Sequence, residues 1–419
     1  MANTTLTSKD EVSSLAAADK IFVNAGSKVR QISLVNLNTA LGVINEAELS
    51  QVAFYTDFNE TGDTVLEQGG NLAMLDFIFE RGGNYTLNSS GYAAKLHPNN
   101  MDMYSDSSEV ELNRQDINYI TMLPDFYYLV TTNKNGKPRL WISMKDIGGH
   151  YQPVQWMGTY KGSMIGTILQ SVPNVIPTGG KTITQFFEAA QINGENWGLA
   201  NYTMRKTLAL MFFTKYGTTL SQGGSILGNG LSGVGSNYNN IRNIRTGGAN
   251  SLGDGTGYVD IEDASGNRAG SVSVFGVKDP FGQVWEFVGG VSPYNDKWYI
   301  SDDCVAPVDG IPSWINMRTV PRLQTGSGNY ISQMQWGEYA DLFPKDLGGN
   351  STTYYTDGCW YNTNGRVLLW GGSAYYGALC GLVCAYAFDA FSFANADVGA
   401  RLGFYGTPII ISGTKFNSL

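Results

Sequence analysis

The alternation of apolar and polar positions changes rhythm twice along the chain. In residues 1–45, Asp10–Asp19 has the spacing of a short helix. Lys20–Leu34 alternates like two strands joined at Ala25-Gly26-Ser27, a hairpin pattern. Residues 46–84 read as a linker or small bridging region. Its apolar stretch Leu72–Phe79 fits a helix and a strand equally well. From residue 85 to 419, short runs rich in Tyr, Trp and Val alternate with Gly/Asn/Ser loops. Ile117–Val130, Lys137–Met144, Val284–Val288 and Lys297–Ile300 predict strands.

Two helices interrupt these strands. The first is predicted over 182–192, where Thr182 and Gln185 fit a capping box. The second is predicted over 201–216, with Asn201 as N-cap and Gly217 as a left-handed C-terminal residue. Met204, Leu208, Met211 and Phe212 repeat at the spacing of a helix packed on a sheet. The loop-rich stretch Ser221–Gly257 is long enough to imply a function or a tether to its neighbours. The expected class is α+β, with few helices, short strands and long ordered loops.

Composition narrows the function. Only 15% of the 419 residues are charged, against about 25% in ordinary soluble proteins, and Gly (52) and Tyr (24) fill the gap. Such a chain lacks the Ala, Glu, Lys and Leu of a helical bundle. The net charge of −9 without a Lys/Arg cluster argues against binding nucleic acid through its phosphates. With only His97 and His150, no Ser/His/Asp or Cys/His triad can be assembled, and most zinc chemistry is excluded. The four cysteines (304, 359, 380, 384) do not make a disulfide scaffold. The polar start of the chain has no signal-peptide core, and no apolar run is long enough to insert into a membrane, so synthesis in a cytoplasm is expected.

Three patterns of possible chemistry are weak. Gly228-Asn-Gly230-Leu-Ser-Gly233 matches a dinucleotide fingerprint but lies among Gly, Ser and Asn, where an irregular loop is the simpler reading. Cys380 and Cys384 have no further metal ligand nearby and read as small buried residues. Asp302-Asp303 and Gly253-Asp254-Gly255 lack the spacing of a calcium loop.

The informative segment is 366–406. Tyr375, Tyr376, Tyr386, Phe388, Phe391 and Phe393 follow neither a helical nor a strand period, and alanines separate them. Aromatic rings presented among small residues suit a binding surface; the bland alternative is a pair of core strands. From Gly371 to Gly406 there is no Lys, Glu, Gln, Met or Trp. What remains is the set encoded by codons that end in a pyrimidine and are free at their first two positions.

On these residues the chain resembles the variable proteins of diversity-generating retroelements, which carry a C-type lectin fold of the formylglycine-generating-enzyme type. Val284-Trp-Glu-Phe287 is similar to that fold's VWEW strand. Leu369-Trp-Gly-Gly-Ser373 and Gly399-Ala-Arg-Leu-Gly-Phe404 are similar to the flanks of the family's variable region. Leu96–Asn100, Leu123–Tyr128, Trp156–Tyr160, Gly194–Gly198 and Lys215–Gln222 followed by Gly228-Asn-Gly230 resemble motifs of phage tail proteins with this domain. Ala374 and Phe287 depart from the family's Trp at those positions.

The resemblance implies a lectin-like domain over 85–419 with a variable region at about 371–406. It implies a receptor-binding tail-fibre tip located in the virion tail, not an enzyme, with neither cofactor nor metal. Ligand contacts are expected from Ala374, Tyr375, Tyr376, Ala378, Leu379, Leu382, Tyr386, Phe388, Asp389, Phe391, Phe393, Asn395 and Asp397. Gly371, Gly372, Gly377, Gly381, Gly399, Arg401 and Leu402 are expected to hold the backbone. Implied partners are a bacterial surface receptor (protein or glycan), two further copies in a homotrimer, and other tail proteins attached through residues 1–45. The rival readings are an oxidase on the same fold using Cys380 and Cys384, and a structural tail protein.

Overall fold

The computed structural model describes residues 45–419 apart from 59, 112–113, 233–237, 263–265, 267 and 325, together with the backbone of strands Ile21–Ala25 and Lys28–Ile32. These two strands pair antiparallel, Ile21 opposite Ile32 and Ala25 opposite Lys28, as the hairpin pattern predicts. The helix predicted over 10–19 lies outside the described residues.

The chain is mixed α+β and mostly sheet, with 37% strand and 15% helix. Residues 46–84, expected as a bridge, contribute helix α1 (Glu46–Val52), two strands and helix α2 (Ala73–Phe79). Strand Phe54–Asp57 pairs with Pro138–Ser143, which places it inside a five-stranded sheet. Buried Arg139 fixes this pairing by gripping Asp57 through Nε at 2.6 Å and Nη2 at 2.8 Å. The single strand expected over 117–130 is two antiparallel-sheet strands, Ile117–Leu123 and Phe126–Thr132. Pro124 separates them, having no N–H to continue a ladder.

Helix α3 (Ile183–Gln191) starts at the predicted capping box: Thr182 accepts from the Gln185 N–H, and the Gln185 side chain accepts from the Thr182 N–H. Helix α4 (Tyr202–Tyr216) also has its predicted ends, with Asn201 accepting from Met204 N at 2.9 Å and Gly217 at φ 60°. Its surroundings differ from the prediction. It is buried on every side from Tyr202 to Thr214, Arg205 and Lys206 included, and serves as a central rod rather than a half-covered helix.

Two sheets meet near the C-terminus. An eight-stranded sheet includes Gln155–Gly158, Trp197–Leu199 and Leu402–Phe404. A seven-stranded sheet runs in the spatial order 343–347, 329–335, 358–361, 385–387, 369–370, 285–287, 398–400. Among the described residues no helix is long and apolar enough to cross a membrane.

Candidate binding face

The segment 369–404 threads the seven-stranded sheet three times and then leaves it. Leu369–Trp370, Ala385–Ala387 and Val398–Ala400 are its strands there. Trp285–Phe287 lies between the first and last of them, antiparallel to one and parallel to the other. Between these strands the chain is irregular, with one short 3-10 turn at Gly377–Leu379.

The irregular parts are held mainly through backbone atoms. Gly371 N donates to Cys384 O at 2.9 Å, and Ala374 N donates to Gln283 O at 3.0 Å. Trp370 Nε1 donates to Leu382 O at 2.5 Å. Two residues of the Lys215–Gln222 motif reach across: Gln222 Nε2 donates to Gly377 O at 2.8 Å, and Ser221 Oγ accepts from Leu382 N at 3.0 Å. Ser221 in turn hydrogen-bonds Asp357 at 2.8 Å, and Asp357 accepts from Val383 N at 2.7 Å. Gly381 permits this clamp, because at φ 152° a Cβ would stand 2.0 Å from Asp357 Oδ1. Gly372 likewise leaves room for Cys380, whose Sγ would be 2.3 Å from a Cβ there.

Backbone anchoring leaves side chains free to face outward, and four of the thirteen expected contact residues are exposed. Tyr375 (71% exposed), Ala378, Phe388 (46%) and Asn395 are exposed. Tyr376, Leu379, Tyr386, Asp389, Phe391, Phe393 and Asp397 are half-buried. Ala374 and Leu382 correct the expectation, since each is only 3% exposed. Ala374 packs with Leu231, Ile241 and Ala269, and Leu382 belongs to the main core with Trp370, so neither is placed for contact with a ligand.

The rings form a connected cluster. Buried Trp285 lies 5.1 Å from Tyr376, 5.5 Å from Tyr386 and 6.0 Å from Trp360, centroid to centroid. Trp360 is 4.7 Å from Tyr376 at 67° and 6.1 Å from Tyr386. Tyr375 and Phe388 extend the cluster at 5.6 Å from Tyr376 and 6.0 Å from Tyr386. The sequence reading missed Trp360. It stands on strand Gly358–Tyr361, which pairs with Ala385–Ala387. The nearest local signal is an aromatic pair, Trp360-Tyr361, in a strand-like run.

Two carboxylates border these rings. Burial pushes the Asp389 carboxyl above its usual range; the Tyr386 hydroxyl opposes that rise and the Asp397 charge adds to it. Burial, with Asp397 next, pushes Tyr376 up to about 12. Asp397 accepts from Ser373 Oγ at 3.3 Å, whereas Asp389 Oδ2 is buried and receives no hydrogen bond.

The other patterns resolve as structure. Cys380 and Cys384 are fully buried, and burial raises both thiols well above the ordinary range. Asp254 Oδ1 accepts from Asn84 N and Nδ2 at 2.7 and 2.8 Å, and Asp303 accepts from Asn316 at 3.0 Å, so protein donors already use these carboxylates. Gly228 and Gly230 lie in a turn region of positive φ. They line a groove of about 280 Å³ with Tyr258, Asp260 and Arg268, on the loop that covers Ala374.

Val284–Phe287 and Gly399–Phe404 meet at a buried charge cluster. Glu286 receives Arg401, Lys161 (2.6 Å) and Arg205, and all four side chains are almost inaccessible. Burial would raise the Glu286 carboxyl, but Arg205, Arg401 and Lys161 outweigh it and hold the group well below the usual carboxylate range. No known protein family matches the chain, and no curated protein sequence matches it.

Proposed function

We propose that the chain is a receptor-binding protein of a phage tail fibre, with a C-type-lectin-like domain whose 371–406 segment is diversified and binds a receptor on a bacterial cell. The observation that carries this reading is the division of labour within the segment. Its main chain is tied to Ser221, Gln222, Gln283 and Asp357, while Tyr375, Ala378, Phe388 and Asn395 project outward. Side chains supported in that way can vary without creating cavities, which is what a diversified surface needs. The restricted residue set of 371–406, without Lys, Glu, Gln, Met or Trp, agrees with it.

The same reading makes the protein a non-enzymatic homotrimer in the virion tail. Residues 1–45 would attach it to the tail and join the copies, because a head of that size buries too little to fold alone. The oxidase alternative needs accessible, low-pKa thiols, and Cys380 and Cys384 are the opposite.

The deciding test is genetic. The locus should hold a reverse transcriptase and an adenine-rich near-copy of the 371–406 coding segment, and isolates should differ at the codons of Tyr375, Phe388 and Asn395. An invariant segment with no such neighbours would overturn the reading. A monomer by light scattering would overturn the trimer.

A further inference from the structure

We propose that the face recognises a basic protein segment, the ammonium or guanidinium of a Lys or Arg side chain seating between the aromatic cluster and the carboxylates of Asp389 and Asp397. This inference rests on the receptor-binding reading and names the chemistry of its partner.

Charge complementarity carries it. From Gly371 to Ala400 the only charged residues are Asp389 and Asp397. Among the described residues the charged groups acting on Asp389 include no cation, and although the Tyr386 hydroxyl reaches this carboxyl, its Oδ2 is buried without a donor. A buried carboxylate oxygen without a partner is costly, and an incoming N–H donor with positive charge would remove that cost.

The rings favour the same guest. Trp360, Tyr376 and Tyr386 are half-buried around Trp285, at 89°, 73° and 53° to it, and Trp360 is inclined by 67° to Tyr376 and by 37° to Tyr386, so none is stacked flat on another. A cation over such ring faces is attracted by their quadrupoles, most strongly by Trp. A neutral glycan fits less well, because sugar hydroxyls need many directed hydrogen bonds. The exposed side chains of this stretch that can hydrogen-bond are Tyr375, Ser392 and Asn395, among the alanines 378, 390, 394 and 396. Exposed Tyr375 and Phe388 instead give flat apolar area beside the carboxylates, which suits the rest of a protein loop.

The full chain would be titrated at physiological ionic strength with a fluorescein-labelled lysine-rich peptide, a glutamate-rich peptide of equal length and a neutral chitin oligosaccharide. The lysine peptide is expected to bind and the other two are not. Asp389→Asn with Asp397→Asn should weaken it about tenfold, while Glu67→Gln on a distant sheet leaves it unchanged. Tyr386→Leu, which keeps both carboxylates, should weaken it as well. Lysine-peptide binding that survives the double carboxylate change overturns the inference. Oligosaccharide binding that is lost in Tyr375→Ala with Phe388→Ala, without peptide binding, overturns it too but leaves the receptor-binding reading standing. Attachment to bacterial cells that is unchanged in Tyr375→Ala with Phe388→Ala overturns both.

Discussion

Arg401 closes a two-point ion pair on Glu286 across 115 residues of sequence, Nε to Oε2 at 2.9 Å and Nη2 to Oε1 at 3.0 Å. Its remaining N–H groups donate to the carbonyls of Gly158, Thr159, Lys278 and Asp279, so one guanidinium ties together both C-terminal sheets and the 278–279 turn. The contact fixes the end of the variable segment to strand Trp285–Phe287, which pairs with both the strand entering that segment, Leu369–Trp370, and the strand leaving it, Val398–Ala400, wherever the side chains between them point.

Glu286→Gln should therefore be severe. It leaves Arg401, Arg205 and Lys161 buried around a neutral group, and breaking a buried pair from one side costs about 3–5 kcal/mol. The expected outcome is a large fall in the urea midpoint or loss of soluble chain. A midpoint near that of the wild type would show that the cluster is not what joins the sheets.

What the sequence made legible was local. The Thr182–Gln185 capping box and the Asn201 and Gly217 ends of α4 depend on neighbours within a turn, and each stands where the spacing puts it. The burial of Arg205 and Lys206 was not legible, because their partners, Glu286 and the Tyr339 carbonyl (2.8 Å from Lys206 Nζ), lie 81 and 133 residues away. The inward turn of Ala374 and Leu382 was hidden for a related reason. An irregular segment has no period, so inside and outside are set by Leu231, Ala269 and Trp370 and not by spacing along the chain.

The face and the core are separable by stability. Tyr375→Ala and Phe388→Ala remove exposed rings and should change the unfolding free energy by no more than about 0.5 kcal/mol. Leu382→Ala empties a core position and should cost about 2–5 kcal/mol. Phe391 and Phe393 pack partly against the cluster that holds Trp285, so their truncations should fall between these limits. Urea denaturation of the set checks this ordering. A Phe388→Ala loss as large as that of Leu382→Ala would make the ring part of the core.

Thiol labelling should follow burial. Cys359, Cys380 and Cys384 are buried, and burial pushes Cys359 up to about 12. Cys304 is partly exposed, with burial pushing it up to about 11. A disulfide reagent at neutral pH should modify Cys304 slowly and the other three only after denaturant is added. Rapid modification of Cys380 or Cys384 in the native chain would reopen the oxidase reading.

Asp357 gives a pH dependence of stated sign. Burial pushes its carboxyl up to about 8, against the Val383 N–H and the Ser221 hydroxyl, which lower it. An unfolded Asp titrates near 3.9, so between about pH 4 and 8 the folded chain holds a proton that the unfolded chain has released. Its contribution to stability is complete below the unfolded value. It declines as pH rises, by up to about 1.4 kcal/mol per unit, and levels off above the folded value. Asp357→Asn mimics the protonated acid, since its amide can donate to Ser221 Oγ while its carbonyl accepts from Val383 N. Urea melts of both chains across this range cancel the other groups that titrate. The variant should gain on the wild type as pH rises and hold a constant lead above about pH 8. A difference that does not change with pH would mean the carboxylate is ionised in the fold. In that case Ser221 and the 381–384 backbone would be gripping a charge, and the variant would loosen the binding face at every pH.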